Sequence, residues 1–396
     1  MLLSSRRDWA VEVEGVLIPC LRSETWGTRQ LWRCPDMGQP PRCVEWLEMA
    51  KWNFLLGVAI GGVATVIATK LLGRPTNDEP SAPEAGAPAQ GFSITFGNPA
   101  EQQMFAHEYS GFLIEWRELQ EFIKEVMLNR TISPPDIEPL KNLPDDDPLV
   151  LEAEDRYKAD ISSFMMARIA VDDFSELLTL ASNGWGNGAM KTLRGMYERI
   201  VTSAYVALFP TVSRAFVDST WTQQWKVWKR AVALRPELAN AVEDNSIELL
   251  QQRAAEAQAR HEESICRKCK QFIQVHAWTK VDLETMAKKV DERLTELSLA
   301  HGSLADYYLR CYLQPTAIEH ATGTGVNEKF ELVDGQWTYR MDSSKERRQA
   351  MMFGHAVLLL LLGRQIQHFG YGLEDRLAMR VKAFRAVWLH IKPGEV

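Results

Sequence analysis

The chain has 396 residues, with 45 Lys and Arg against 52 Asp and Glu and a formal charge of −7. That acidic balance argues against a dedicated nucleic-acid binder, which carries a basic excess to neutralise phosphates. An apolar fraction of 46% with 24% charged residues excludes a mainly disordered chain, and six cysteines are too few for a disulfide scaffold. Residues 1–48 differ in composition from the remainder of the chain. They hold six Arg and no Lys, four Trp (Trp9, Trp26, Trp32, Trp46), and Cys20, Cys34 and Cys43. No helical or strand period runs through them, and the cysteine spacing fits no compact metal motif. The expectation is that Met49 starts the native protein, so that 1–48 is either no part of it or disordered.

Residues 49–74 read as a transmembrane helix. Phe54 to Thr69 is FLLGVAIGGVATVIAT, without a charge, and residues 52–72 make a run of about 31 Å at 1.5 Å per residue. Trp52 lies at one interface, and Lys51, Lys70 and Arg74 reach the headgroups. Gly57 and Gly61 form GxxxG, a spacing through which two such spans can dimerise. A buried core helix and a cleaved signal peptide are the competing readings. Against the first, a linker comes directly after the run; against the second, Ala85-Gly86-Ala87 lies far past the apolar run and precedes Pro88.

Residues 75–94 are a Pro/Ala/acid-rich linker with the composition of an extended tether. Orientation depends on the start. From Met49, Lys70 and Arg74 outweigh Lys51 and put the tether side in the cytoplasm; with 1–48 present, Arg33 and Arg42 reverse the bias. The odd set Cys266, Cys269 and Cys311 suits a reducing compartment. The domain is therefore placed in the cytoplasm.

Residues 95–396 read as an all-helical domain. Asn98-Pro99 opens a helix with apolar residues from Phe105 to Met127, and Asp147-Pro148 opens a second that ends at Asn183-Gly184. A third runs from about Gly188 to Phe209. Trp221, Trp225 and Trp228 share one face of the next and are expected in the core. A long polar helix spans 246–276. Others span 282–300 and 303–314, the latter ended by Pro315. Asp334-Gly335 turns a small β-hairpin between Phe330 and Arg340. Ser343 and Glu346 form a capping box ahead of a buried helix carrying His355–Gly363, and Leu373–Ile391 closes the domain.

Chemistry is sparse. Cys266 and Cys269 with His261 and His276 lack the second CxxC that a zinc site needs, so no metal or cofactor is expected. Arg194 and Glu198 are i, i+4 on a mostly buried helix and are expected to pair as a structural bridge. Tyr308 and His320, the latter before Gly323 and Gly325, place an imidazole in a loop where it can face a ligand.

These two segments, NGxxxxAMKTLRGMYERIVTSAYVALFP and DYYLRCYL…IEHATGTGV, resemble a family of bacterial helical domains of unknown function with an R-x3-E helix and a downstream Tyr…His segment. The resemblance covers roughly 160–390 and carries over Arg194, Glu198, Tyr308 and His320; it implies a helical fold and no reaction. A more remote similarity is to HEPN ribonucleases, whose signature is Arg, four to six residues, then His. Arg348 with His355 and Arg385 with His390 fit that spacing, although Ala386 and Gln349 depart from the polar residue that usually comes after the arginine.

The sequence thus describes an all-α domain with one small β-hairpin, preceded by a single transmembrane helix. It reads as a single-pass membrane protein with a cytoplasmic ligand- or partner-binding module, with a HEPN-like ribonuclease in phage defence as the alternative. Whether it is an enzyme is left open.

Overall fold

Asn98 starts the first helix of the computed structural model. Its side-chain oxygen accepts from the Glu101 amide at 3.3 Å, and Pro99 occupies the first turn, where its missing N–H is not needed. The structure describes residues 97–389 apart from 133–139, 141–142, 145–146, 237–243, 261–277, 300–301, 320–325, 327–328 and 340–342. Residues 1–48, the apolar run at 52–72 with Gly57 and Gly61, and the linker at 75–94 lie outside the described residues. So do His261, Cys266, Cys269, His276 and His390.

The single helix expected from 99 to about 127 is divided. Helix α1 (Pro99–Glu108) bends into α2 (Ser110–Ile123) at Tyr109, whose φ of −113° and ψ of 16° leave the helical region. The bend turns the rings of Phe105 and Tyr109 together, 4.4 Å apart, beneath the Arg347 guanidinium. A π turn at Lys124–Leu128 then buries Val126 and Met127.

Helix α3 (Pro148–Ser182) is capped by Asp147, which accepts from the Leu149 amide at 2.9 Å, and is followed by Gly184 at φ 80°. Helix α4 (Gly186–Leu208) comes next. A 3-10 turn at Pro210–Val212 leads into α5 (Ser213–Leu234), and then come α6 (Asp244–Arg260) and α7 (Leu283–Glu296). Short pieces cover 305–319: a 3-10 turn at Ala305–Tyr307, a π turn at Leu309–Leu313 and α8 (Gln314–Glu319). The hairpin is β1 (Phe330–Val333) and β2 (Gln336–Tyr339), antiparallel, with Leu332 opposite Trp337. Asp334 and Gly335 have φ of 50° and 79°, the paired positive values of the tight turn that Asp-Gly encodes. Helix α9 (Ser344–Phe369) ends at Gly370 in the left-handed region, and α10 (Glu374–Leu389) is the last.

Helices α3, α4 and α9 form the centre, with α2 and α10 packed together on one flank. Nearly every apolar residue on the inner face of α4 is fully buried, among them Met190, Leu193, Met196, Tyr197 and Ile200. One polar node joins the three central helices: the hydroxyls of Ser163 and Ser203 lie 3.0 Å apart, and Gln365 Nε2 donates to both at 3.2 and 3.4 Å. Fully enclosed, such groups require one another as partners. Among the described residues one helix, Ser344–Phe369, is long and apolar enough to cross a membrane, and it is mostly buried inside the domain, as the leucine run predicts.

The capping box does not form. Ser343 instead accepts from the Gly186 amide at 3.0 Å and donates to the Gly184 carbonyl at 2.7 Å, so its hydroxyl joins the starts of α4 and α9. The approach is close enough that a methyl group at Gly186 would fall 2.1 Å from the Ser343 carbonyl oxygen and 2.5 Å from the Arg347 amide nitrogen. Both are backbone atoms. Gly186→Ala is therefore expected to cost on the order of 3 kcal/mol, to be read as a large drop in melting temperature. An unchanged melt would mean that the two helices part without penalty.

Candidate functional site

Arg194 leaves α4 at the edge of its buried face. Its partner is Glu319, the last residue of α8, and not Glu198, which is exposed one turn further along α4. The expected Arg194–Glu198 bridge is corrected on this point. Glu198 is exposed to water, while Arg194 lies back against the 308–319 segment, where Glu319 takes the place that Glu198 was expected to fill. The guanidinium carbon sits 5.1 Å from the centre of the Tyr312 ring, and Tyr312 stacks on Tyr308 at 5.4 Å with 22° between planes.

The segment bearing these groups is held from three sides. Asp291 of α7 accepts from the Ser303 hydroxyl and from the Leu304 and Ala305 amides at 2.8–3.0 Å. Tyr197 of α4 donates to the Leu304 carbonyl at 2.7 Å, and Arg364 of α9 donates to the Gly302 carbonyl at 3.1 Å. The chain then enters the π turn, which buries Cys311 completely; burial pushes its thiol well above the usual range. Pro315 does not end a helix as expected. It sits in the first turn of α8, where proline is tolerated, directly after the π turn has closed. Gln314 donates to Gln349 of α9 at 2.9 Å, which fixes this end of the segment to the domain centre.

Burial pulls the Arg194 guanidinium toward lower pKa, but hydrogen bonds with Tyr312 and Glu319 outweigh it, so it lies above its ordinary value. Its Nε is buried without a hydrogen-bond partner among the described residues, while its side chain keeps 23% exposure. The guanidinium is therefore a planar cation held on an aromatic ring and paired with one partly exposed carboxylate. Tyr312 and Glu319 were missed by sequence reasoning. Their signals were there: Tyr312 is one turn after Tyr308, and Glu319 immediately precedes His320.

The other candidates separate. Tyr308 belongs to the Arg194 cluster, and His320 lies outside the described residues. Arg348 is partly buried, with Nε and Nη2 unpaired among the described residues. His355 is fully enclosed, with the rings of Phe112, Phe174, Phe384 and Trp388 4.9–6.4 Å from its own, and its Nδ1 accepts from Trp388 Nε1 at 3.2 Å. The Arg348–His355 pair is therefore corrected as a catalytic candidate: its imidazole is a core group with no open face. The expectation of a buried Trp stripe holds for Trp221 only, since Trp225 and Trp228 are half-buried and line a groove of about 480 Å³ between α5 and α6.

Both halves of the Arg194 cluster fall in one stretch of chain for which there is a match. Residues 160–336 match the model of a family of unknown function, DUF5677. This agrees with the expected resemblance to a domain family of unknown function, over residues 160–336 of the roughly 160–390 expected. It includes Arg194, Tyr308, Tyr312 and Glu319 and stops short of Arg348 and His355. No curated protein and no solved structure matches the chain.

Two outcomes are expected in solution. Glu198→Ala should leave the melting temperature within error, whereas Glu319→Ala, which strands a half-buried guanidinium, should cost about 1–2 kcal/mol; the reverse order would restore the helix-internal bridge. The second concerns pH. Burial, aided by Arg380, pushes His355 down to about 3, so the folded ring is neutral while the unfolded one charges below its ordinary 6.5. Its contribution is complete above pH 6.5 and is lost as pH falls toward 3. Melting curves of the protein should therefore fall with acid more steeply than those of His355→Leu, and equal slopes would refute the neutral core histidine.

Proposed function

We propose that this chain is a membrane-held helical binding domain whose site is the Arg194 cluster, and that its ligand presents a carboxylate or phosphate in place of Glu319. The observation that carries this is the Arg194 guanidinium, fixed on Tyr312 and neutralised by one partly exposed carboxylate from another helix. Glu319 marks where an incoming anion would lie. His320, the next residue in the chain, is taken as a second group for the ligand. The apolar run at 52–72 is the anchor, with the tether side cytoplasmic on the charge of Lys70 and Arg74.

Inorganic phosphate is a suitable first probe, titrated calorimetrically into the full chain in detergent. Glu319→Gln removes the competing carboxylate and should tighten phosphate about tenfold, or roughly 1.4 kcal/mol. Arg194→Ala should abolish binding, and His320→Ala should weaken it with the melt unchanged. Equal phosphate affinity in wild type, Glu319→Gln and Arg194→Ala would dismiss the site. For the anchor, deletion of residues 49–91 should move the protein from the membrane fraction to the soluble fraction without loss of its helical signal. An aggregated truncation would mean that the apolar run belongs to the core.

A further inference from the structure

Helix α5 has an outward face that the Arg194 site does not use. After Asp218 it carries no acid as far as Leu234, while Lys226, Lys229 and Arg230 occur within five residues, in a chain whose overall charge is −7. All three are exposed, and with Ala233 they surround one shallow depression. Among the described residues no carboxylate pairs with Lys226 or Arg230. Val227 and Leu234, seven apart and so on one helical face, are 60% and 70% exposed along one side of these cations. Lys229 lies 5.6 Å from the centre of the Trp225 ring, and Trp225 and Trp228 form one wall of the α5–α6 groove, with Ile247 and Glu248 on the other.

Exposed cations bordered by exposed aliphatic residues are the composition of a helix that lies in a bilayer interface, with apolar side chains in the acyl boundary and ammonium groups among phosphates. A protein partner gains little from isolated lysines, because holding them still costs side-chain entropy. A second feature favours lipid. On the reading of 52–72 as an anchor, the 24 residues from 73 to 96 reach at most about 80 Å, which tethers the domain to one membrane. Acidic proteins are not drawn to anionic surfaces by net charge, which leaves the local patch as the source of attraction.

We infer that the outward face of α5, through Lys226, Lys229, Arg230, Val227 and Leu234, docks on the anionic lipid surface of the membrane that anchors the chain. The inference rests on the anchor reading, and the experiment separates the two. A full chain with a protease site inserted in residues 75–91 is reconstituted into vesicles of phosphatidylcholine alone or with about one-third phosphatidylserine, floated, then cut and floated again. Before cutting, flotation on both vesicles supports the anchor, whereas flotation on the anionic vesicles alone overturns the anchor and supports the patch. A chain that floats on neither overturns both.

After cutting, the freed domain should remain on anionic vesicles at least roughly tenfold more than on neutral ones. Raising the salt from about 0.1 M to about 0.5 M should release it. The triple variant Lys226→Glu, Lys229→Glu, Arg230→Glu should lose retention by about a hundredfold or more, from about fivefold per cation. The salt step needs no variant, so a misfolded triple mutant does not blunt the test. Equal release from both vesicles, or retention that survives both salt and charge reversal, overturns the proposal. Release from both together with tight capture of a short single-stranded RNA would make the face a nucleic-acid surface, which also overturns it.

Discussion

The joint at Ser343 governs the rest of the domain. One hydroxyl accepts from the amide that opens α4 and donates to a carbonyl just before it, while its own backbone opens α9. Because Gly186 has no side chain, the two helices meet at backbone distance, and their register is set where they begin. Downstream, α4 presents Arg194 and Tyr197, and α9 presents Gln349 and Arg364. Each of these holds or faces the segment from Gly302 to Glu319. A shift of either helix would move a guanidinium at one end and a glutamine at the other, which is why a contact remote from the site decides its shape.

The interior divides its polar groups by purpose. Ser163 and Ser203 share a hydrogen bond and both accept from Gln365 Nε2 where three helices cross, while Gln365 Oε1 is buried without a partner among the described residues. His355 is kept neutral by burial and receives a single indole hydrogen bond within an aromatic shell. Burial pushes the Glu115 carboxyl above its ordinary range, against the pull of Arg380 at 3.0 Å. The Arg194 cluster contrasts with these: its charge is retained, its carboxylate is partly exposed, and the aromatic ring beneath it supplies the remaining stabilisation. The Arg194 guanidinium thus keeps both its charge and an open side, whereas His355 gives up both.

Much of the helical order was legible. Asn98-Pro99, Asp147-Pro148 and Asp282 are side-chain caps whose hydrogen bonds are local, so spacing alone locates them. The Asp334-Gly335 turn is local in the same way. The capping box at Ser343 was not, because a distant amide competes for the same hydroxyl and wins. Pro315 was misread for a related reason: proline stops a helix already under way but suits the first turn of a new one, and nothing local announces a π turn. Arg194 stood out as a candidate, yet Glu198 was the only acid within helical reach of it in sequence. Glu319 is 125 residues away.

By itself the sequence determined the elements whose partners lie within one turn: helix caps, the hairpin, the apolar periodicities that bury α4 and α9, and the composition that sets residues 49–94 apart from the helical domain. These arise from backbone sterics and short-range hydrogen bonds, which act on neighbours and need no fold to operate. Tertiary structure alone decided which charge Arg194 meets, that Tyr312 lies under it, that His355 is walled in, and that Trp225 and Trp228 edge a groove while Trp221 is buried. Each of those outcomes depends on which helices pack together, and packing is settled by the combined burial of surfaces far apart in the chain.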